Sequence, residues 1–425
     1  MKASELKKLL SDGALEKYAH LYADTKAQTE RFLAALDSYI ELYGDEDNDV
    51  GIFSVPGRSE ISGNHTDHNR GCVLAGAIDR DIIAVAAKNT KGTISFKSEG
   101  YPKTEVDLSK IDNPENFENY TSTALIAGLA QGFVNSSYSI GGYNAYATTE
   151  VLKGSGISSS AAFEVMIGNI LNYFYNDGKV SNVEIAKLSQ YAENVYFGKP
   201  CGLMDQVACA VGGFVFIDFK DTKNPIVDPI AFSLTNAGYS LAIVNTGGNH
   251  ADLNDDYASV PYEMKAVAKE LGAEVLRDFS EADIIAKIPT LRESLGDRAI
   301  LRALHFVREN ARVGVIREAL KNSDIDAFLN GILASGSSSF KYLQNVFTTI
   351  NVKEQGLSLA LALTEGYLEG KGCAYRVHGG GFAGTIQVFI KNEYIDGYIA
   401  LMDSVFGEGA TMNLKIRPVG ACRLF

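Results

Sequence analysis

The stretch that decides the fold is KGSGISSSAAFEVMIGNILNYFY, residues 153–175, in which a glycine- and serine-rich turn leads directly into a long helix with an apolar face. Glycines let the backbone turn sharply and approach an anion without a Cβ atom in the way. The serine hydroxyls and the unpaired N–H groups at the helix start both suit a bound phosphate. No GK[ST] ending follows, so the segment is not a Walker A loop. It predicts either a phosphate loop of another type or an ordinary capped helix start.

Two further glycine loops favour phosphate binding over an ordinary helix start. The first is GRSEISGNHTDHNRG, residues 57–71, which lies between two apolar segments that resemble strands. The second is RVHGGGFAG, residues 376–384, which alone fits a tight turn between packed elements. Three such loops, each flanked by a strand or helix pattern, are hard to explain as turns alone.

The hydrophobic pattern in the first half of the chain mixes helix and strand signals. Residues 4–43 predict one or two helices. GIFSV, residues 51–55, predicts a strand that ends at Pro56-Gly57. The expected fold class is therefore α+β.

The stretch KDTKNPIVDP, residues 220–229, predicts a turn-rich connector. We place a domain boundary there, which gives an N-terminal domain of residues 1–222 and a C-terminal domain of residues 223–425. The second half then predicts a strand, several helices and closing strands around the last glycine loop.

The composition indicates a folded protein in a reducing compartment. Of its 425 residues, 46% are hydrophobic and 21% are charged, which is enough apolar material for a sizeable core. The formal net charge of -13 argues against nucleic acid or an anionic membrane as a partner. The five cysteines are widely spaced and form no CxxC pair, so we expect reduced thiols in a cytoplasmic protein. The N-terminus is unlike a signal peptide, and no apolar run is long enough to span a bilayer.

The order of the motifs resembles that of the GHMP small-molecule kinases and, among them, the galactokinases. PGRSEISGNHTDHNRG (56–71) resembles the galactokinase signature, in which PGR is followed by a GEHTDYN-type stretch. GSGISSSAA (154–162) resembles the phosphate loop GxGLSSSA, and GGGFAG (379–384) resembles the motif GxGFGG. AENVYFGKPCGLMDQ (192–206) resembles the galactokinase segment that contains Glu and PCGxMDQ. The matches extend over nearly the whole chain. The most specific of them are PGRSEISGNHTDHNRG and the CGLMDQ part of AENVYFGKPCGLMDQ.

This resemblance implies a two-domain GHMP kinase fold with the active site in the cleft between the domains, using ATP and Mg²⁺. It implies that Asp205 is the base for the sugar hydroxyl, and that Arg58 keeps it ionised and stabilises charge on the γ-phosphate. It assigns Ser160 and Glu193 to Mg²⁺. By the same resemblance, the phosphates contact Gly154, Ser155, Gly156, Ser158, Ser159 and Ser160, and the sugar contacts Asn64, His65, Asp67 and Tyr257.

The implied reaction is phosphorylation of a sugar at its anomeric hydroxyl, and galactose is the first expectation for the sugar. We expect a monomeric enzyme that binds neither nucleic acid nor a membrane. Asn64 stands where galactokinases usually carry Glu, which leaves the C6 end of the sugar open. N-acetylgalactosamine or a sugar without a C6 hydroxyl is therefore an alternative substrate. A non-catalytic galactokinase-like sugar sensor is the alternative from another class. Homoserine kinases, mevalonate kinases and related decarboxylases leave GNHTDHN and CGLMDQ unexplained.

Several of these residues also have a plainer interpretation. Asp67 fits an Asx turn, and Glu193 fits an exposed helix position. His65 and His68 have the spacing of a metal pair, but a solvated loop explains them better. The aspartates within residues 252–256 resemble a Ca²⁺ loop but lack its Gly and terminal Glu, so an acid-rich helix start is preferred.

Overall fold

A computed structural model describes residues 1–22, 24–45, 49–152, 156–248 and 253–425. Within these ranges the strands form one sheet of eight strands and one of four. The strands are β1 (Gly51–Ser62), β2 (Cys72–Lys88), β3 (Thr93–Ser98), β4 (Thr104–Asp107), β5 (Tyr143–Thr149), β6 (Phe214–Asp218), β7 (Ile226–Ile230), β8 (Tyr239–Asn245), β9 (Ala374–His378), β10 (Thr385–Lys391), β11 (Thr411–Leu414) and β12 (Cys422–Arg423).

Helices pack around both sheets, so the α+β prediction is confirmed. Two short π-helical turns, Ala192–Phe197 and Ser339–Leu343, follow directly on helices. The α-helices are α1 (Ala3–Ser11), α2 (Thr25–Tyr43), α3 (Ser122–Asn135), α4 (Ser159–Tyr175), α5 (Asn182–Tyr191), α6 (Met204–Val211), α7 (Asn254–Glu270), α8 (Glu281–Ser294), α9 (Asp297–Lys321), α10 (Ile325–Ser338), α11 (Gly356–Leu368) and α12 (Ile395–Phe406).

The eight-stranded sheet is organised by the long strand β2. Its first residues, from Cys72 to Gly76, pair with β6, and its last residues, from Ile82 to Lys88, pair with β5. The main path through the sheet runs β12-β1-β2-β5-β3-β4, and β6 continues to β7. The face that carries α3, α4, α5 and α6 encloses the largest apolar core, while α1 and α2 cover the opposite face. The predicted N-terminal helices are thus confirmed.

The four-stranded sheet is antiparallel, in the order β11-β8-β10-β9. Strands β9 and β10 are joined by residues 379–384, the third glycine loop of the sequence. The two sheets meet at a bridge between Ile78 and Ile416. The third glycine loop is therefore carried by the small sheet, and its carbonyl oxygens at Gly379 and Gly380 contact Asn64 and His65, which follow β1 of the large sheet.

The prediction that the first strand ends at Pro56-Gly57 is wrong, because β1 continues to Ser62. The pairing register with β2 shifts between Pro56 and Arg58, and proline, which cannot donate to a ladder, is tolerated at such an irregularity. Gly57 is needed there, since a Cβ atom would lie 2.7 Å from the carbonyl oxygen of Ile157. The Arg58 N–H bonds to that same oxygen at 3.1 Å, so β1 and the phosphate loop are joined directly.

The prediction of a connector over residues 220–229 is wrong in its last part, where β7 pairs with β6. The weak strand propensity around Pro229 concealed this strand, which lies at an edge of the sheet where a missing N–H costs little. Strand β12, at the chain end, also pairs with the large sheet. The domain division at residues 222/223 stays a prediction. Among the described residues, no helix is long and apolar enough to cross a membrane.

Candidate active site

The centre of the candidate site is an ion pair between β1 and the first turn of α6. Arg58 donates two hydrogen bonds, from Nε and Nη2, to the two carboxylate oxygens of Asp205, each at 2.7 Å. Burial opposes the ionisation of Asp205, but Arg58 outweighs it and holds the pKa of this carboxyl below its usual value. A third of the Asp205 side chain remains exposed, so the ionised carboxylate can be reached from the cleft.

The phosphate loop adds two contacts to this ion pair. The hydroxyl of Ser158 donates to Asp205 Oδ2 at 2.5 Å, and Nη1 of Arg58 donates to the carbonyl oxygen of Gly156 at 2.6 Å. Ser158 has a left-handed backbone with φ of 64°, a conformation that costs energy in a residue other than glycine and is common at functional sites. The loop is therefore held against the carboxylate by its backbone as well as by its side chains.

The other loop residues lie at the start of α4. Ser159 is half-buried, whereas Ser160 and Gly156 are exposed. Gly154 and Ser155 lie outside the described residues. The exposed start of this helix carries unpaired N–H groups that favour an anion.

Glu193 is buried, although an exposed helix position was the plainer interpretation of this residue. It lies in the π-helical turn Ala192–Phe197, and such turns are frequent at functional sites. Gln206 donates through Nε2 both to Glu193 Oε2 at 3.0 Å and to Glu164 Oε2 at 3.1 Å. The ammonium group of Lys199 lies 3.3 Å from Glu193 Oε1. Burial and repulsion from Glu193 raise the pKa of Glu164 well above its usual value.

Asp67, in the loop between β1 and β2, lies against the segment that precedes α6. A Cβ atom at Gly202 would lie 2.9 Å from Asp67 Oδ2, so the missing side chain at Gly202 makes room for this carboxylate. Burial raises the pKa of Asp67, with Asp205 adding to the increase and His65 opposing it. Asp205 therefore lies within electrostatic reach of Asp67.

His65 and Tyr257 both contact the third glycine loop. His65 Nε2 lies 2.9 Å from the carbonyl oxygen of Gly380, which makes this nitrogen the donor. The hydroxyl of Tyr257 donates to the carbonyl oxygen of Gly381 at 2.8 Å. These contacts bring the first and third loops together, and they attach α7 to the third loop.

Asn64 is completely buried, and all four hydrogen-bonding positions of its side chain are occupied by the protein. Its amide nitrogen donates to Glu60 Oε1 at 3.1 Å and to the Gly379 carbonyl oxygen at 2.6 Å. Its amide oxygen accepts from Ser339 Oγ at 3.2 Å and from Asn345 Nδ2 at 2.7 Å. These contacts do not support a direct bond from Asn64 to a sugar, and they place it between the first and third loops.

Two family models match the chain in the regions that build this site. The model described as "Galactokinase galactose-binding signature" matches residues 37–88, and "GHMP kinases N terminal domain" matches residues 124–213. A galactokinase of Streptomyces coelicolor is 30% identical over 375 residues, which cover 87% of this chain and 92% of that protein. The chain belongs to the galactokinase family.

Solved structures confirm the fold of this galactokinase-family chain. The crystal structure of Lactococcus lactis galactokinase complexed with galactose matches with a TM-score of 0.76 and 24% identity, over 92% of this chain and all of that chain. The crystal structure of Methanococcus jannaschii mevalonate kinase matches with a TM-score of 0.60 and 14% identity, over 87% and 99% of the two chains. The predicted GHMP kinase fold is confirmed.

Sequence reasoning missed three polar residues in this galactokinase-family site. Gln206 and Lys199 lie inside the quoted segment AENVYFGKPCGLMDQ, but nothing in their spacing shows that both contact Glu193. Glu164 is the one charged residue in the apolar helix pattern of residues 159–175, and this isolation was the one signal available in the sequence.

Proposed function

We propose that this protein transfers the γ-phosphoryl group of ATP to the anomeric hydroxyl of galactose, giving galactose 1-phosphate and ADP. The observation that carries the proposal is the Asp205 carboxylate, which Arg58 keeps ionised and which accepts a hydrogen bond from Ser158 of the phosphate loop. A base for a hydroxyl must be ionised and accessible, and the Asp205 carboxylate meets both conditions.

In the proposed mechanism, Asp205 orients the anomeric hydroxyl and takes its proton as the hydroxyl oxygen attacks the γ-phosphorus. The bond from the γ-phosphorus to the bridging oxygen breaks, and ADP leaves. Arg58 stabilises charge on the transferred group, and the Ser158 hydroxyl fixes the position of the carboxylate. The transition state of such a transfer is loose, so catalysis comes mainly from positioning and electrostatics.

The residues around Glu193 fit a bound Mg²⁺. The Glu193 carboxylate and the Ser160 hydroxyl are hard oxygen donors, and Glu193 already holds a cation, the Lys199 ammonium group. Glu164 Oε1 is buried with no hydrogen-bond partner among the described residues. Within the ranges that the structure describes, no group of three or more His, Cys, Asp or Glu side chains is arranged to hold a metal ion. When bound, Mg²⁺ would neutralise charge on the phosphates.

The cellular setting belongs to the same proposal. The five cysteines are all free, which supports the expected reducing cytoplasm. Galactose and ATP are the proposed small-molecule partners, and a monomer is the proposed state.

The direct test is an assay of ADP release with ATP and Mg²⁺ on a panel of sugars: galactose, N-acetylgalactosamine, 6-deoxygalactose and glucose. We expect galactose to give the highest kcat/KM and ³¹P NMR to show an anomeric phosphate. A higher kcat/KM with N-acetylgalactosamine would assign the enzyme to that sugar. Tight sugar binding without any phosphorylation would identify a sugar sensor and refute the proposal.

A further inference from the structure

We infer that Glu60, and not Asn64, accepts a hydrogen bond from a hydroxyl group at the end of the sugar away from the phosphates. The inference rests on the proposed sugar kinase activity, and it identifies the side chain that selects the sugar. Asn64 has no hydrogen-bonding position left for a ligand. A hydrogen bond from Asn64 to a sugar would break one of its four buried hydrogen bonds. Glu60, in contrast, has a carboxylate oxygen without a hydrogen-bond partner among the described residues.

The carboxylate of Glu60 is anchored through one oxygen only. Oε1 accepts from Arg376 Nη2 and from Asn64 Nδ2, each at 3.1 Å. Oε2 has no hydrogen-bond partner within the described ranges, and it is not sealed from solvent, since the side chain keeps 10% of its surface exposed. Arg376 is completely buried, so the anchored oxygen is fixed in place. An anchored carboxylate with one open oxygen is a rigid acceptor for a ligand hydroxyl.

The strand geometry places Glu60 on the same face of β1 as Arg58, which holds Asp205. Arg58, Ser59 and Glu60 pair with β2 in regular register, so the side chains of Arg58 and Glu60 leave β1 on the same face. Two residues along a strand span roughly 7 Å, which is comparable to the width of a pyranose ring. Because Arg58 holds Asp205, a sugar whose anomeric hydroxyl lies at Asp205 has room, over this distance, to reach Glu60 if it lies along β1.

Gly379, which shares Asn64 with Glu60 as a hydrogen-bond partner, borders open space. Asn64 joins Glu60 to the carbonyl oxygen of Gly379 in the third glycine loop. A Cβ atom at Gly379 would meet nothing within 4 Å. The ligand class that fits is a hexose with a hydroxyl donor at this end, because the open carboxylate oxygen can only accept.

The variant Glu60→Gln tests this assignment sharply. Oε1 must keep accepting from two donors, so the amide nitrogen of Gln takes the place of Oε2 and turns an acceptor into a donor. kcat/KM is measured for galactose and for 2-, 3-, 4- and 6-deoxygalactose. In the wild-type protein we expect kcat/KM for one of the deoxygalactoses to be at least about tenfold lower than kcat/KM for galactose. This is the effect expected for the loss of a hydrogen bond to a charged group. In Glu60→Gln that same difference should shrink to about threefold or less, with the KM for ATP unchanged.

Two further variants protect the test against misfolding. Glu60→Asp keeps the charge but retracts the carboxylate, and it should show the same loss of discrimination. Glu105→Gln, at an exposed position of β4, should behave as wild type. Thermal melting of each variant reports folding. If folded Glu60 variants discriminate among the sugars as the wild-type protein does, the assignment is overturned. If the wild-type protein phosphorylates no sugar, the proposed function itself fails.

Discussion

His305 Nε2 lies 2.9 Å from the backbone carbonyl oxygen of Asn64 and donates a hydrogen bond to it from helix α9. Its other nitrogen, Nδ1, accepts from Ser338 Oγ at 2.9 Å. Burial lowers the pKa of His305 to about 4, so the ring is neutral in the folded protein. The backbone of the first glycine loop is thus supported at Asn64 by a histidine that acid can protonate only at a cost in stability.

We therefore predict that the free energy of unfolding decreases as the pH falls from about 6.5 toward 4. An unfolded histidine takes up its proton near pH 6.5, whereas folded His305 does so only near 4, so acid favours the unfolded chain in that window. Burial also lowers the pKa of His378, to about 3, and this histidine adds to the slope in the same direction. Each contributes up to about 1.4 kcal/mol per pH unit. Urea unfolding at several pH values measures the slope.

The matched variant is His305→Gln, which keeps an N–H group for the Asn64 carbonyl oxygen but cannot titrate. Its slope should be smaller than that of the wild-type protein by about one proton. His20→Gln, at an exposed position, should leave the slope unchanged. An unaltered slope in His305→Gln would contradict this prediction.

We predict that Gly202→Ala weakens sugar binding and leaves nucleotide binding intact. The added Cβ atom would lie 2.9 Å from Asp67 Oδ2 and displace that carboxylate from the cleft. The KM for galactose should rise about tenfold, as expected for the loss of one hydrogen bond to a charged group. Gly366→Ala on α11 is the control, because nothing lies within 4 Å of its added Cβ atom. An unchanged KM for galactose in Gly202→Ala would show that Asp67 does not hold the sugar.

We predict that Asn345→Ala loosens the contact between the first and third loops. Asn345 donates to Asn64 Oδ1 and, at 3.0 Å, to the carbonyl oxygen of Gly380. Leaving these two buried acceptors short of a donor should lower the free energy of unfolding by about 1–3 kcal/mol and raise the KM for galactose. Asn236→Ala, at an exposed position, should change neither quantity. Normal stability together with a normal KM in Asn345→Ala would rule out this role.

Short motifs made the reacting groups predictable, because each motif keeps its residues in a local geometry. PGR places Arg58 on a strand, and CGLMDQ places Asp205 in the first turn of a helix. The pairing of these two side chains was expected from the family resemblance, and the structure brings them together. The apolar periodicity also predicted most of the helices and strands.

The surroundings of Asn64 were not predictable from the sequence. Its partners Ser339 and Asn345 lie 275 and 281 positions away, and they reach it because a π-helical turn follows α10. Local patterns carry no information on such distant contacts. The edge strand β7 was missed for a similar reason, since its pairing with β6 outweighs the weak strand propensity around Pro229.

We predict that Arg58→Lys shifts the pH dependence of turnover. Burial alone would raise the pKa of Asp205, and Arg58 is the main group that lowers it. Lys cannot reproduce the two-point contact, so the pKa should rise and the acid limb of the kcat/KM profile should move to higher pH. Arg292→Lys, at an exposed position, is the control. A profile with the wild-type acid limb would mean that Asp205 is not the group that titrates in it.

The most direct test of the account is a single-turnover measurement of phosphoryl transfer to galactose by Asp205→Asn, together with ATP binding by the same variant. Asn keeps the shape of the side chain but cannot take the proton of the anomeric hydroxyl. We expect the transfer rate to fall by about 10²–10⁴-fold, while the affinity for ATP stays within about threefold. Transfer by a folded Asp205→Asn variant at a rate close to that of the wild-type protein would contradict the central claim.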